Sequence, residues 1–266
     1  MCIDTEPELR YNRSVAKSAG ANLMFVLMTI QGEPVLMKNK NAVIITALSF
    51  AACALHAVML NTPFNHYAYT SALKGILFAV IPLAYFAVSK QGGLKDLFSV
   101  KGHKKAIKQA LILGGLVFAF ALIAFFALRP LLDQVMIIDG LTNFGITGKN
   151  YPFVFIYIIF INAALEELFF RGFVFLTLHR MNYRRYAHIY SSVLFAAYHV
   201  SVLNNWVSPG VFALCIAGLV VAGLIFNRIA EKCESVIGSL AVHVGANLAI
   251  NLIGVYYLYY HPELSS

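Results

Sequence analysis

Apolar residues in this chain come in long unbroken runs, without the alternation of a strand or the single stripe of a soluble helix. An α-helix needs about 20 apolar residues to cross a hydrocarbon core of about 30 Å. Seven stretches reach or approach that length: residues 42–60, 71–89, 110–128, 153–178, 187–203, 209–227 and 237–258. The pattern predicts an all-α, polytopic membrane bundle of about seven transmembrane helices. A shorter run, Leu23 to Ile30, is too brief to cross and is followed by Gly32 and Pro34, which predicts an interfacial helix. The expected organisation is an N-terminal segment at 1–41, a transmembrane domain at 42–258 and a tail at 259–266. No internal repeat breaks it into further domains.

Composition narrows the class. The 266 residues are 60% hydrophobic and 12% charged, against roughly 45–50% and about 25% in soluble domains. A water-soluble globule, a disordered chain and a collagen-like rod are excluded. The net charge of +8 raises nucleic acid as a partner until the basic residues are located. Residues 1–41 hold five, 90–109 six, 179–186 three and 228–236 two, so sixteen of the 20 lie in alternate loops. The intervening loops hold only Arg129 and Lys149. This positive-inside pattern predicts a cytoplasmic N-terminus and a C-terminus outside. The charge is then explained without nucleic acid, and the Lys-rich loop suits anionic lipid. Cys2, Cys53, Cys215 and Cys233 show neither disulfide nor metal spacing. A polar first stretch, Cys2 and the ending ELSS predict neither a secretory signal nor a lipid anchor. Compact loops fit a multi-pass protein of a bacterial cell membrane.

Polar residues inside the apolar runs point to chemistry. The fourth run holds Glu166, Glu167 and Arg171, the fifth His199, and the seventh His243, Asn247 and Asn251. A charge at the bilayer centre costs about 2.5–3.5 kcal/mol on insertion scales, so such groups are functional by default. At about 100° per residue, positions i and i+4 share a face. Glu167 and Arg171 therefore pair within one helix and take a supporting role. Glu166 points elsewhere, with Asn162 as its i−4 neighbour, and is expected to lack a counter-ion. A desolvated carboxylate of that kind suits a general base. His243 and Asn247 share a face and offer two donors for an oxyanion. Depth along the helices places the site in the inner half of the bilayer, with His199 somewhat out of level. His56, Lys74 and Asn251 lack such company and read as structural, and Phe195 as packing.

Three motifs in order, Glu166-Glu167-Leu168-Phe169-Phe170-Arg171, Phe195-Ala196-Ala197-Tyr198-His199 and His243-Val244-Gly245-Ala246-Asn247, resemble the EExxxR, FxxxH and HxxxN pattern of the CPBP family. That family comprises CAAX proteases and bacteriocin-processing enzymes and includes type II CAAX prenyl proteases. The resemblance spans about residues 150–258. It implies an intramembrane endopeptidase with Glu166 as general base, His199 as its partner on the water, and His243 and Asn247 at the oxyanion. Implied substrates are CAAX-type or bacteriocin-type peptides and lipidated proteins.

No cofactor is expected. A zinc ion, if one were held, would take Glu166, His199 and His243, but HExxH is absent and asparagine is a poor zinc ligand. Two other classes compete with a protease. A non-catalytic scaffold or immunity protein would tolerate loss of Glu166. A proton-coupled transporter would carry repeats or mid-span breaks, and neither is present.

Overall fold

The computed structural model describes residues 39–63, 65–89, 93–203 and 207–260. The expected interfacial helix at 23–30 and most of the 1–41 segment lie outside them. One compact unit spans Ile44–Ser266; of the other, Met1–Val43, only the start of the first helix is described.

Every regular element among the described residues is helical. In chain order these are α1 (Lys40–Leu60), α2 (Tyr67–Ser89), the single turn α3 (Leu94–Leu97), α4 (Lys104–Leu128) and α5 (Gln134–Asn143). They continue with α6 (Tyr151–Arg180), α7 (Arg184–Leu203), α8 (Pro209–Cys233) and α9 (Ile237–Tyr260). Local chemistry sets several boundaries. The Asp133 side chain accepts from the Met136 amide to start α5, a capping bond worth about 1 kcal/mol. Asn182 takes φ +68° in the turn after α6, a left-handed conformation that asparagine tolerates. Pro209 opens α8 behind Ser208, where its missing N–H has no partner to lose.

Six of these helices are long and apolar enough to cross a membrane: α1, α2, α4, α6, α8 and α9. The seventh predicted span, α7, forms a helix but is not among them. Its residues include Arg184, Arg185, His188, Ser191, Ser192 and His199. These polar groups lower its apolarity, and the fold accommodates them: only Arg184, Arg185 and Val200 are exposed along its length. Neighbouring elements bury Tyr190, Ser191, Ser192, Phe195 and Tyr198 on it. By contrast α4 leaves Leu116, Phe120 and Ile123 exposed along one stripe, as a lipid-facing helix must.

Short contacts at both ends of the bundle position the site. At one end the Tyr67 amide donates to Phe144 O (2.9 Å) and Tyr151 Oη to Asn251 O (2.8 Å). At the other, Leu97 O accepts from the Val236 amide (2.8 Å) and from Ser235 Oγ (2.8 Å). There the Glu231 carboxylate also gathers Arg184 Nε (2.5 Å), Arg228 Nη1 (2.5 Å), His179 (3.2 Å) and His188 (3.3 Å).

Helices α4 and α9 meet backbone to backbone. A Cβ on Gly245 would stand 2.3 Å from Gly114 O, and one on Gly114 would stand 2.7 Å from Ala241 O. Small residues permit this approach in membranes, where packing replaces the hydrophobic drive. Gly245 lies between His243 and Asn247, so the contact also sets the height of both. Gly245→Ala is expected to cost about 1–3 kcal/mol, the usual penalty of overpacking, read as a lowered thermal midpoint in detergent.

Candidate active site

Helix α6 supplies the acids. It widens to π-helical turns at Tyr157–Asn162 and again at Glu167–Leu176, leaving Glu166 at the junction. Such wide turns inside helices gather at functional sites. Both i, i+4 expectations appear in the structure: Arg171 Nη1 lies 3.1 Å from Glu167 Oε1, and Asn162 Nδ2 donates to Glu166 Oε1 at 3.1 Å.

The expectation that Glu166 lacks a counter-ion is overturned. Lys74 on α2 brings Nζ to 3.1 Å from Glu166 Oε1 and also donates to Asn162 Oδ1. Its ammonium lies 5.2 Å from the centre of the Tyr198 ring. A helix read by itself cannot reveal a partner that arrives from another helix. A signal was nonetheless present, because the apolar runs hold two acids and two cations. With Arg171 committed to Glu167, Lys74 is the cation left for Glu166.

The other carboxylate oxygen, Glu166 Oε2, is buried and has no hydrogen-bond partner among the described residues. His243 Nε2 stands 3.6 Å from it and His199 Nε2 4.0 Å. Three motifs distant in sequence thus meet at one atom, and the level mismatch noted for His199 disappears. His199 Nδ1 lies 2.7 Å from Phe195 O. A carbonyl only accepts, so Nδ1 carries the hydrogen and Nε2 presents a lone pair to the site. His243 Nδ1 lies 2.9 Å from Glu167 Oε1, so Glu167 orients that ring. Phe195 has a part beyond general packing: the Arg171 guanidinium lies 4.2 Å from its ring centre and 4.8 Å from that of Phe226.

A cavity of about 370 Å³ reaches this cluster. Lys74, Asn162, Glu166, His199 and Asn247 line it, whereas His243, Glu167 and Arg171 stand behind. Asn247 Nδ2 donates to Ile158 O at 3.0 Å, which leaves its second amide hydrogen for another acceptor. The two expected oxyanion donors therefore meet the cavity differently, one on its wall and one behind Glu166. Asn251, read as structural, bonds the Asn247 and Tyr151 positions and also lines the cavity. His56 lines it too, its ring 5.1 Å from that of Tyr198.

Among the described residues, no group of three or more His, Cys, Asp or Glu side chains is arranged to hold a metal ion. The conditional zinc set, Glu166, His199 and His243, meets a further obstacle. Lys74 already places a positive charge on the carboxylate that would be the central ligand.

The family model described as Type II CAAX prenyl endopeptidase Rce1-like matches residues 148–249. That segment contains all three motifs. No curated protein and no solved structure matches the chain.

Proposed function

From the match of residues 148–249 to the Rce1-like type II CAAX prenyl endopeptidase model, we propose that the protein hydrolyses a peptide bond inside the membrane with a water activated by Glu166. The observation that carries this reading is the free Oε2 of Glu166, with the Nε2 atoms of His199 and His243 within 4.0 Å, beside a cavity. A separation of 4.0 Å is too long for a hydrogen bond, yet one water can touch both groups.

In the proposed reaction that water donates one hydrogen to Glu166 Oε2 and the other to His199 Nε2. Its oxygen attacks the scissile carbonyl carbon as Glu166 takes the proton. The oxyanion faces the Lys74 ammonium and the spare amide hydrogen of Asn247, while His243 steers the carboxylate from behind. Collapse breaks the C–N bond, and Glu166 returns its proton to the leaving amine. No metal step is invoked. A buried site of this kind strengthens each electrostatic contact, because little water screens it.

A mostly apolar wall suits an apolar peptide, lipidated or not. We also propose that α7 crosses the membrane inside the bundle, which makes seven crossings among the described residues. Comparing peptides from cells carrying the intact chain with those carrying Glu166→Gln tests the reading. A precursor that accumulates uncut in the variant supports it; identical peptide pools refute it.

Lys74 gives a second test. Lys74→Met is expected to lower kcat by about 10²–10³-fold, as loss of an oxyanion donor does, with KM little changed. Lys74→Arg should recover part of that rate by keeping the charge. A purely structural lysine would instead lower the thermal midpoint and leave the rate of the folded fraction intact.

A further inference from the structure

The two halves of the bundle differ in a way that bears on where the substrate comes from. Every lining residue of the cavity lies between Glu166 and one end of the bundle. From the site outwards the wall runs past Ser71 and Ile158 to Leu60, Tyr67, Ile146 and Leu203. Leu60 ends α1, Tyr67 begins α2, Ile146 follows α5 and Leu203 ends α7, so four chain segments mark the same end.

The opposite half is tightly packed around α6 among the described residues. From Glu167 to Leu178 every residue of α6 is buried. The turn α3 lies across it: Leu97 is fully buried, and its Cδ1 would stand 2.9 Å from a Cβ on Gly172. Ser235 and Val236 hold Leu97 by its carbonyl oxygen, so the turn bridges the foot of α6 and the α8–α9 connection. Glu231 then ties α8 to α7 through Arg184.

Charge separates the same two ends. The closed end carries the basic loops: among the described residues Lys95, Lys101, Lys104, Lys105 and Lys108, with Arg180, Arg184, Arg185, Arg228 and Lys232 beside them. The cavity end carries Arg129 and Lys149, together with Asp133 and Asp139. By the positive-inside rule, the closed end faces the cytoplasm.

We infer that the peptide reaches Glu166 from the extracytoplasmic face, so the substrate class is an exported or membrane-anchored chain with an apolar segment exposed outside. This rests on the protease reading for its chemistry but not for its geometry. A cytoplasmic C-terminal peptide would have to pass the buried stretch of α6 and the α3 turn. The cavity is at the lower end of the roughly 300–1,000 Å³ typical of ligand pockets, a volume for a short extended stretch and not for a folded domain.

Membrane-impermeant maleimide applied to the full chain in its native membrane tests the inference without requiring activity. Ser71→Cys and Leu203→Cys place a thiol on the cavity wall from two different helices, and Lys232→Cys marks the closed end. Labelling is read as the increase over the unsubstituted chain, which carries its own cysteines. The expected result is labelling of both cavity variants in intact spheroplasts and of Lys232→Cys only in inverted vesicles. Labelling of the cavity variants from the inverted side alone would overturn the assigned face. Labelling only after detergent would overturn the open passage. If either cavity variant fails to insert, the other carries the test. Failure of Glu166→Gln to block cleavage would remove the protease reading and leave these outcomes standing.

Discussion

Glu166→Gln is expected to slow peptide cleavage by about 10²–10⁴-fold, the usual contribution of a general base, while the chain still folds and inserts. The fold should survive because the amide keeps an oxygen for Lys74 Nζ and Asn162 Nδ2, the two donors now on Oε1. What disappears is the ability of Oε2 to take a proton from water. His199→Ala should fall in the same range through loss of the second acceptor on that water. The measurement is the rate on one peptide substrate with equal amounts of folded protein, checked by thermal unfolding. A Glu166→Gln chain that cleaves at the intact rate would end the mechanism. A fall in rate that tracks a fall in folded fraction would make Glu166 structural.

Arg171→Ala is expected to have the largest effect on stability, about 3–5 kcal/mol, the cost of removing one partner from a buried ion pair. Arg171 and Glu167 are both fully buried. The guanidinium touches one carboxylate oxygen and otherwise meets the faces of Phe195 and Phe226. Such cation–π contacts contribute about 2 kcal/mol when desolvated. Removing Arg171 leaves the Glu167 charge to His243 alone, so the ring that steers Glu166 loses its setting. Arg171→Lys should not restore the site, because an ammonium cannot stack between two rings as a planar guanidinium does. Thermal midpoints of the three chains in one detergent, together with their cleavage rates, check both points. An unchanged midpoint in Arg171→Ala would contradict the assigned role.

Much of this site can be read along single helices, because a helix has a fixed repeat. The Glu167–Arg171 and Asn162–Glu166 pairs follow from spacing alone, and the π-helical turns did not break them. The presence of Glu166, His199 and His243 in apolar runs already marks them, since lipid tolerates ionisable groups only with partners. Contacts between helices follow no such repeat. Lys74 on Glu166, Glu167 on His243 and Gly245 against Gly114 join residues far apart in the chain. Of these, only Lys74 left a trace in the sequence, through the balance of intramembrane charges.

Length and apolarity alone determined that this is a helical membrane chain, because hydrocarbon admits only backbones that satisfy their own hydrogen bonds. Composition could not reveal that α7 is shielded by other helices, because burial depends on neighbours and not on a segment's own residues. Which donors face the cavity and which stand behind it were decided by the tertiary structure. Side-chain direction and helix tilt depend on packing between segments distant in sequence.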